Sequence, residues 1–310
     1  MKQKALIKRV TQKIQDKLRI GFSGNLDELI NYTRSWSLKL QNELDDSNST
    51  SLSDTDSYQT VCRLAVEQNQ IFRKFKSCKE YQEVLEHVSR NLGSEYLKIL
   101  KEDEWISELL PELVIGDIGA PYRYTYPGLG RISPTHLRYA KVASDLQGLF
   151  GPLDRYNIAE IGVGYGGQSV ILDKLFEIAT YKMFDLSVVL ELALKYTREC
   201  QVTMSVEQGN LSVSGLDSYD LVISNYAFSE LKGQVQEDYL LNVIQKSKRG
   251  YFTYNDISPL EYDALSAKKF AERIVGAEIY REFPTTAPKN VLVIWGHNRD
   301  FAKSRLVKVI

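Results

Sequence analysis

Glycines 162, 164, 166 and 167 lie in the run Asn157-Ile158-Ala159-Glu160-Ile161-Gly162-Val163-Gly164-Tyr165-Gly166-Gly167-Gln168, the stretch of this chain best suited to holding a ligand. Glycine lets the backbone turn tightly and approach a bound group with no Cβ in the way, and the first turn of a following helix leaves N–H groups unpaired. The run therefore reads as a buried strand, a turn and a helix start that cradle a nucleotide-type cofactor. Gly162, Gly164 and Gly167 also satisfy the G-x-G-x-x-G spacing of dinucleotide-binding folds, so a nicotinamide-dependent oxidoreductase or epimerase is the alternative enzyme reading. A non-catalytic binding scaffold is the third.

An acidic residue belongs to the same chemistry. Asp185 ends Lys182-Met183-Phe184-Asp185-Leu186-Ser187 about 20 positions beyond the glycine turn, where a carboxylate accepts hydrogen bonds from ribose hydroxyls. It is also placed to cap the helix that begins near Ser187. Further on, Asp220-Leu221-Val222-Ile223-Ser224-Asn225-Tyr226-Ala227-Phe228-Ser229-Glu230-Leu231 ends another strand. Ligands of open α/β sheets bind outside the carboxyl ends of the strands, so Ser224, Asn225 and Tyr226 should face the cleft and Glu230 should reach the substrate or start the next helix.

The elements that must position these groups are legible from periodicity. Strand patterns fall at 156–161, 180–185, 202–206, 219–225, 249–255, 277–283 and 290–295, with helical patterns at 187–200, 234–248 and 259–275. Alternating strands and helices predict a doubly wound parallel α/β sheet. No helix fits between the last two strands, so they should form an antiparallel hairpin, since a parallel pair needs a long crossover. That hairpin, and the lack of a Tyr-x-x-x-Lys pair after the fourth strand, argue against the nicotinamide alternative. Residues 1–118 carry helix-period apolar positions, as in Tyr81, Val84, Leu85, Val88 and Leu92, interrupted by an exposed polar loop at 45–57. Residues 119–150 hold a Tyr/Pro/Gly-rich connector, whose tyrosines either line a cleft or pack a seam, followed by a helix at 135–149. Residues 151–310 form the cofactor-binding domain.

Composition bounds the partners. A net charge of −1 over 310 residues offers no general field for nucleic acid or anionic membrane, and no stretch approaches the length of a membrane span. Cys62, Cys78 and Cys200 are scattered without metal-ligand spacing, as expected of reduced thiols in a cytoplasmic protein. The expected partner is a small molecule or glycan, with homodimer contacts through the N-terminal helices a further option.

Taken together, Glu160-Ile161-Gly162-x-Gly164-x-Gly166-Gly167, Asp185 and Ser224-Asn225-x-x-Phe228-Ser229-Glu230-Leu231 resemble the class I S-adenosylmethionine-dependent methyltransferases. Tyr165-Gly166-Gly167-Gln168 and Ile132-Ser133-Pro134-Thr135-x-Leu137-Arg138-Tyr139 narrow the resemblance to the bacterial putative sugar O-methyltransferases. The resemblance implies a seven-stranded Rossmann-like methyltransferase sheet with S-adenosylmethionine as cofactor. It implies that Glu160, Gly162, Gly164 and Gly166 hold the methionine end, and that Asp185 with Leu186 meets the ribose. Asn210 would meet the adenine edge at a position usually acidic, and Ser224 and Asn225 would lie beside the transferred methyl. A sugar hydroxyl must lose its proton, so a general base is expected, and His136, Glu230 and Asp256 are the candidates, with a weaker claim for His297 and a structural role for His87. No metal is assigned; a divalent-ion variant would draw on Asn255, Asp256 and Glu230.

Overall fold

The computed structural model describes residues 50–52, 54–114, 116–211, 218–255 and 257–309. Asp256, residues 1–49 of the N-terminal region and positions 45–49 of the expected loop lie outside the described residues.

Seven strands form the central sheet: β3 Asn157–Ile161, β4 Thr180–Phe184, β5 Ser205–Gln208, β6 Leu221–Asn225, β7 Gly250–Tyr254, β8 Glu278–Arg281 and β9 Val291–Trp295. Their order is β5-β4-β3-β6-β7-β9-β8. The first five run parallel, whereas β9 inserts antiparallel between β7 and β8. Only residues 282–290 join β8 to β9, too few for a crossover, so the expected terminal hairpin forms. The order reverses at β3 and β6, which places the crevice of the sheet at their carboxyl ends.

Helices cover both faces: α1 Asp56–Glu67, α2 Lys79–Val84, α3 Arg90–Glu102, α4 Pro134–Phe150, α5 Gly167–Leu175, α6 Ser187–Glu199, α7 Gly233–Asn242, α8 Ala267–Glu272 and α9 Arg299–Arg305. The apolar stripe from Tyr81 to Leu92 is not one helix. It breaks after Val84, and Ser89 restarts it as α3 by accepting the Leu92 N–H at 3.2 Å. The break turns Val84, Leu85, Val88 and Leu92 toward a common cavity.

Other boundaries shift for equally local reasons. The helix expected at 259–275 shrinks to α8, because Asp263 adopts a left-handed φ of +47° and Ser266 caps a new start through the Lys269 N–H. The Asp173 carboxylate binds the Thr203 and Met204 N–H groups, holding 202–204 in a turn and delaying β5 to Ser205. The polar segment before α1 is not simply exposed. Ser51 is buried and bridges Leu231, and the Thr55 side chain caps α1 through the Tyr58 N–H.

The connector folds into a small antiparallel pair, β1 Tyr124–Tyr126 and β2 Gly130–Ile132. Tyr126 packs against Gly93 of α3, where a Cβ would lie 2.1 Å from its hydroxyl oxygen, while Tyr122 is exposed. None of its tyrosines lines the cavity, and only Tyr126 packs in a seam, since Tyr122 and Tyr124 are exposed. The N-terminal helices share one apolar core with the sheet: Phe75 and Tyr81 pack edge-on and tilted against Tyr165 of the glycine turn. The buried Lys76 ammonium sits 3.7 Å above the Tyr165 ring and donates to the Tyr196 hydroxyl at 2.8 Å.

Candidate active site

A cavity of about 610 Å³ opens at the carboxyl ends of β3, β4 and β6. Ile161, Gly162, Gly164, Asp185, Leu186 and Asn225 form its sheet side, and Asp54, Tyr58, Leu85, His87 and Tyr96 face it from the N-terminal helices. Arg138 of α4, Tyr226 and Glu230 after β6, and Thr286 and Asn290 before β9 complete the wall.

The glycine turn has the geometry a close-approaching ligand needs. Gly162 and Gly164 have φ of +79° and +53°; a Cβ on Gly162 would meet the Ala227 Cβ at 1.9 Å, and one on Gly164 the Leu85 side chain at 2.6 Å. Asp185 accepts the Gly164 N–H at 3.0 Å and the Leu186 N–H at 2.8 Å, which ties the β4 end to the turn. Gly166 caps α5 with φ +81° but does not border the cavity.

Glu160 is buried behind the turn, where it accepts the Tyr181 hydroxyl at 2.7 Å. Burial pushes its carboxyl up to about 8, against the opposing pull of Tyr181, with the nearby Asp185 charge adding to the rise. Burial likewise raises Asp185 to about 7, although its two backbone N–H partners act the other way. A carboxyl held above its unfolded value gives stability that is complete below about pH 4 and lost as pH rises through the folded value. The ligand-free protein should therefore melt at falling temperature as pH climbs toward 7 to 8, with Glu160→Gln flattening the slope. A melting temperature constant over that interval would contradict this electrostatic picture.

The remaining expected residues separate into two groups. Leu186, Asn225 and Glu230 border the cavity, and Glu230 accepts the Asn255 amide at 2.8 Å. Ser224 instead holds the loop: its hydroxyl donates to the Ile161 carbonyl at 2.9 Å and accepts the Phe228 N–H. Asn210 is exposed and outside the lining, although Leu211 beside it is part of the wall. His136 is 1% exposed, away from the lining, and neither ring nitrogen has a hydrogen-bond partner. Burial, then the charges of Lys76 and Arg123, hold its pKa well below the histidine range, so the structure does not bring it to the cleft. His297 also lies outside the lining, hydrogen-bonded to Tyr280 at 2.9 Å.

Two cavity groups were not singled out by the sequence. His87, expected to be structural, stands at the cavity edge; desolvation by the surrounding walls and the charge of Arg138 lower its pKa, against the nearby backbone of Gln82 and Val84. Arg138 lies on α4, in a motif whose only legible signal was the family resemblance. Tyr226 adopts φ +69°, a strained value for a non-glycine residue, and its hydroxyl donates to Glu282. Among the described residues, no group of three or more His, Cys, Asp or Glu side chains could hold a metal ion. No described helix is long and apolar enough to cross a membrane.

No protein-family model matches the chain, and no curated protein matches it. Similar solved structures include a SAM dependent methyltransferase from Aquifex aeolicus, 15% identical with a TM-score of 0.38 over 51% of this chain and 88% of that one. PH0226 of Pyrococcus horikoshii is 11% identical, with a TM-score of 0.42 over 52% of this chain and 90% of its own. Magnesium protoporphyrin IX methyltransferase from Synechocystis, with bound SAH, is 12% identical, with a TM-score of 0.39 over 51% of this chain and 81% of its own. On its own strand order and terminal hairpin, the sheet is a Rossmann-like methyltransferase sheet. The residues present fit S-adenosylmethionine: a glycine cradle with no room for Cβ atoms and a carboxylate at the β4 end that borders the cavity.

Proposed function

We propose that the chain is an S-adenosylmethionine-dependent O-methyltransferase acting on a hydroxyl of a sugar or sugar-containing metabolite. The observation that carries this reading is the single cavity in which the glycine turn and Asp185 share walls with the proton-accepting side chains His87 and Glu230. Gly162, Gly164, Asp185 and Leu186 would hold the cofactor, with Glu160 behind them and Asn225 alongside. That cofactor supplies a methyl group already activated on a sulfonium, so the protein's own task is alignment and proton removal.

His87 is the group we assign to the proton. Its lowered pKa keeps the imidazole neutral and able to accept at pH 7. Ser89, Asn255, Thr286 and Asn290 add hydroxyl and amide groups to the lining of the same cavity, which suits an acceptor rich in hydroxyls. The sugar assignment draws on this wall and on the Tyr165 to Gln168 and Ile132 to Tyr139 motifs. Residues 1–118 would select the acceptor, since those described supply the wall facing the sheet.

Labelled methyl transfer from the cofactor to bacterial glycans and free sugars tests the reading. His87→Ala should lower the turnover by about 10²- to 10⁴-fold with unchanged S-adenosylhomocysteine affinity, the usual range for a general base. Turnover unaffected by His87→Ala but lost in Glu230→Gln would transfer the role to Glu230; transfer only to non-sugar acceptors would overturn the sugar assignment.

A further inference from the structure

Arg138 is a buried cation that the methyl-transfer reading leaves without a task. Its residue is 8% exposed, at α4, and its guanidinium faces the main cavity on one side and a small space of about 20 Å³ on the other. No carboxylate forms an ion pair with it among the described residues, and Nε is buried with no hydrogen-bond partner. The carboxylates that border the same region make their direct hydrogen bonds to other groups, although Glu282 shares the small space and the Tyr226 ring with Arg138. Glu282 accepts the Tyr226 hydroxyl and, at 2.9 and 2.6 Å, the Thr286 N–H and hydroxyl. Asp145 accepts Lys141 and the Tyr251 hydroxyl, each at 2.6 Å.

What surrounds the guanidinium is aromatic: Cζ lies 5.3 Å from the Tyr139 ring centroid and 6.0 Å from that of Tyr226. Rings hold the planar group in orientation without neutralising it. A buried guanidinium with no direct ion pair and an unpartnered N–H is costly, and an anionic ligand that accepts from it removes that cost. The cavity is also polarised along its wall. Asp54 and Asp185 gather near Tyr58 and Tyr239, whereas Arg138 stands with Tyr96 and Tyr226.

We propose that the acceptor is an anion, whose carboxylate or phosphate group docks on Arg138; this rests on the methyl-transfer reading above. A guanidinium binds both groups with paired N–H···O bonds, and the dock lies near enough to His87 for its charge to influence that imidazole. The anionic group thus anchors the acceptor on α4 beside the proposed proton acceptor, while the acidic end of the cavity is left to the cofactor. A neutral sugar would offer the guanidinium no paired anionic oxygens.

Thermal unfolding of the full-length wild type, Arg138→Met and Arg138→Lys tests this. The media are sodium chloride, sodium phosphate and sodium D-glucuronate at matched ionic strength, with D-glucose as the neutral control, each with and without S-adenosylhomocysteine. Phosphate or D-glucuronate should raise the wild-type melting temperature by about 2 °C or more over chloride, as binding to the folded state requires, with D-glucose inert. The arm that responds more strongly identifies the group. R138M should lose the response, R138K should keep part of it, and R138M in chloride should melt no lower than wild type, because a buried uncompensated cation has been removed. Equal anion responses in wild type and R138M, no response in wild type, or an R138M several degrees less stable in chloride would each overturn the proposal. Stabilisation by S-adenosylhomocysteine reports separately on the cofactor: its absence with an intact anion response removes the methyl-transfer reading and leaves the anion dock.

Discussion

Asp185→Ala is expected to weaken S-adenosylhomocysteine binding by about 10- to 100-fold, equivalent to roughly 1 to 3 kcal/mol of lost charge-accepting hydrogen bonds. The carboxylate has two kinds of work in this structure. It accepts the Gly164 and Leu186 N–H groups, and it borders the cavity where a ribose would present hydroxyls. Asp185→Asn separates the two, since its amide oxygen still accepts one N–H while the charge is gone. Burial disfavours the ionised form of Asp185, while the Asn NH2 would leave one of the two N–H donors unpaired, so these effects oppose and Asp185→Asn should shift the ligand-free melting temperature at pH 8 only slightly. A calorimetric affinity unchanged by both substitutions would dismiss the ribose role. Loss of affinity accompanied by a large drop in melting temperature would show that Asp185 acts by holding the turn instead.

The second large effect concerns Gly162→Ala. Its added methyl would sit 1.9 Å from the Ala227 Cβ, and the backbone at φ +79° is one that L residues resist. Left-handed strain of about 1 to 2 kcal/mol and overpacking of about 1 to 3 kcal/mol act together, so urea unfolding should report about 2 to 5 kcal/mol of lost stability. The displaced segment carries Ala227 and Tyr226, both on the cavity wall, so S-adenosylhomocysteine affinity should fall as well. Gly276 serves as the control: it has φ +76° but no neighbour within 4 Å of an added Cβ, so Gly276→Ala should show the positive-φ strain alone.

Much of the sheet was legible because its signals are local. Buried apolar runs such as Leu221 to Ile223 read as strands, and the short link between β8 and β9 forced a hairpin by length alone. The sheet side of the cavity, where the cofactor is proposed to bind, was legible for the same reason, since a strand, a glycine turn and an acidic residue at the next strand end sit within one βαβ unit. Boundaries moved where one side chain decided them: Ser89 restarting α3, Asp173 holding the turn before β5, Ser266 starting α8.

The acceptor side was legible only in part, because tertiary packing assembles it from distant segments. His87 reaches the cavity because the helical stripe around it breaks, and Arg138 because α4 crosses the end of the sheet crevice. His136, two residues earlier on that helix, faces the core instead. Nothing in a lone histidine's sequence neighbourhood distinguishes the two outcomes. The Tyr165 motif likewise proves to be a packing device at its aromatic end, stacked under Lys76 and against the N-terminal aromatics. Removing residues 58–110 would uncover that aromatic surface, since they share one apolar core with the sheet.

The glycine turn and Asp185 are proposed to bind S-adenosylmethionine. Isothermal titration of the full-length protein with S-adenosylhomocysteine, run beside NADH, tests it most directly. Saturable binding of S-adenosylhomocysteine at one site per chain, weakened by Asp185→Ala, with no heat from NADH, is the predicted result. Absence of S-adenosylhomocysteine binding by the folded protein, or binding of NADH in its place, would contradict it.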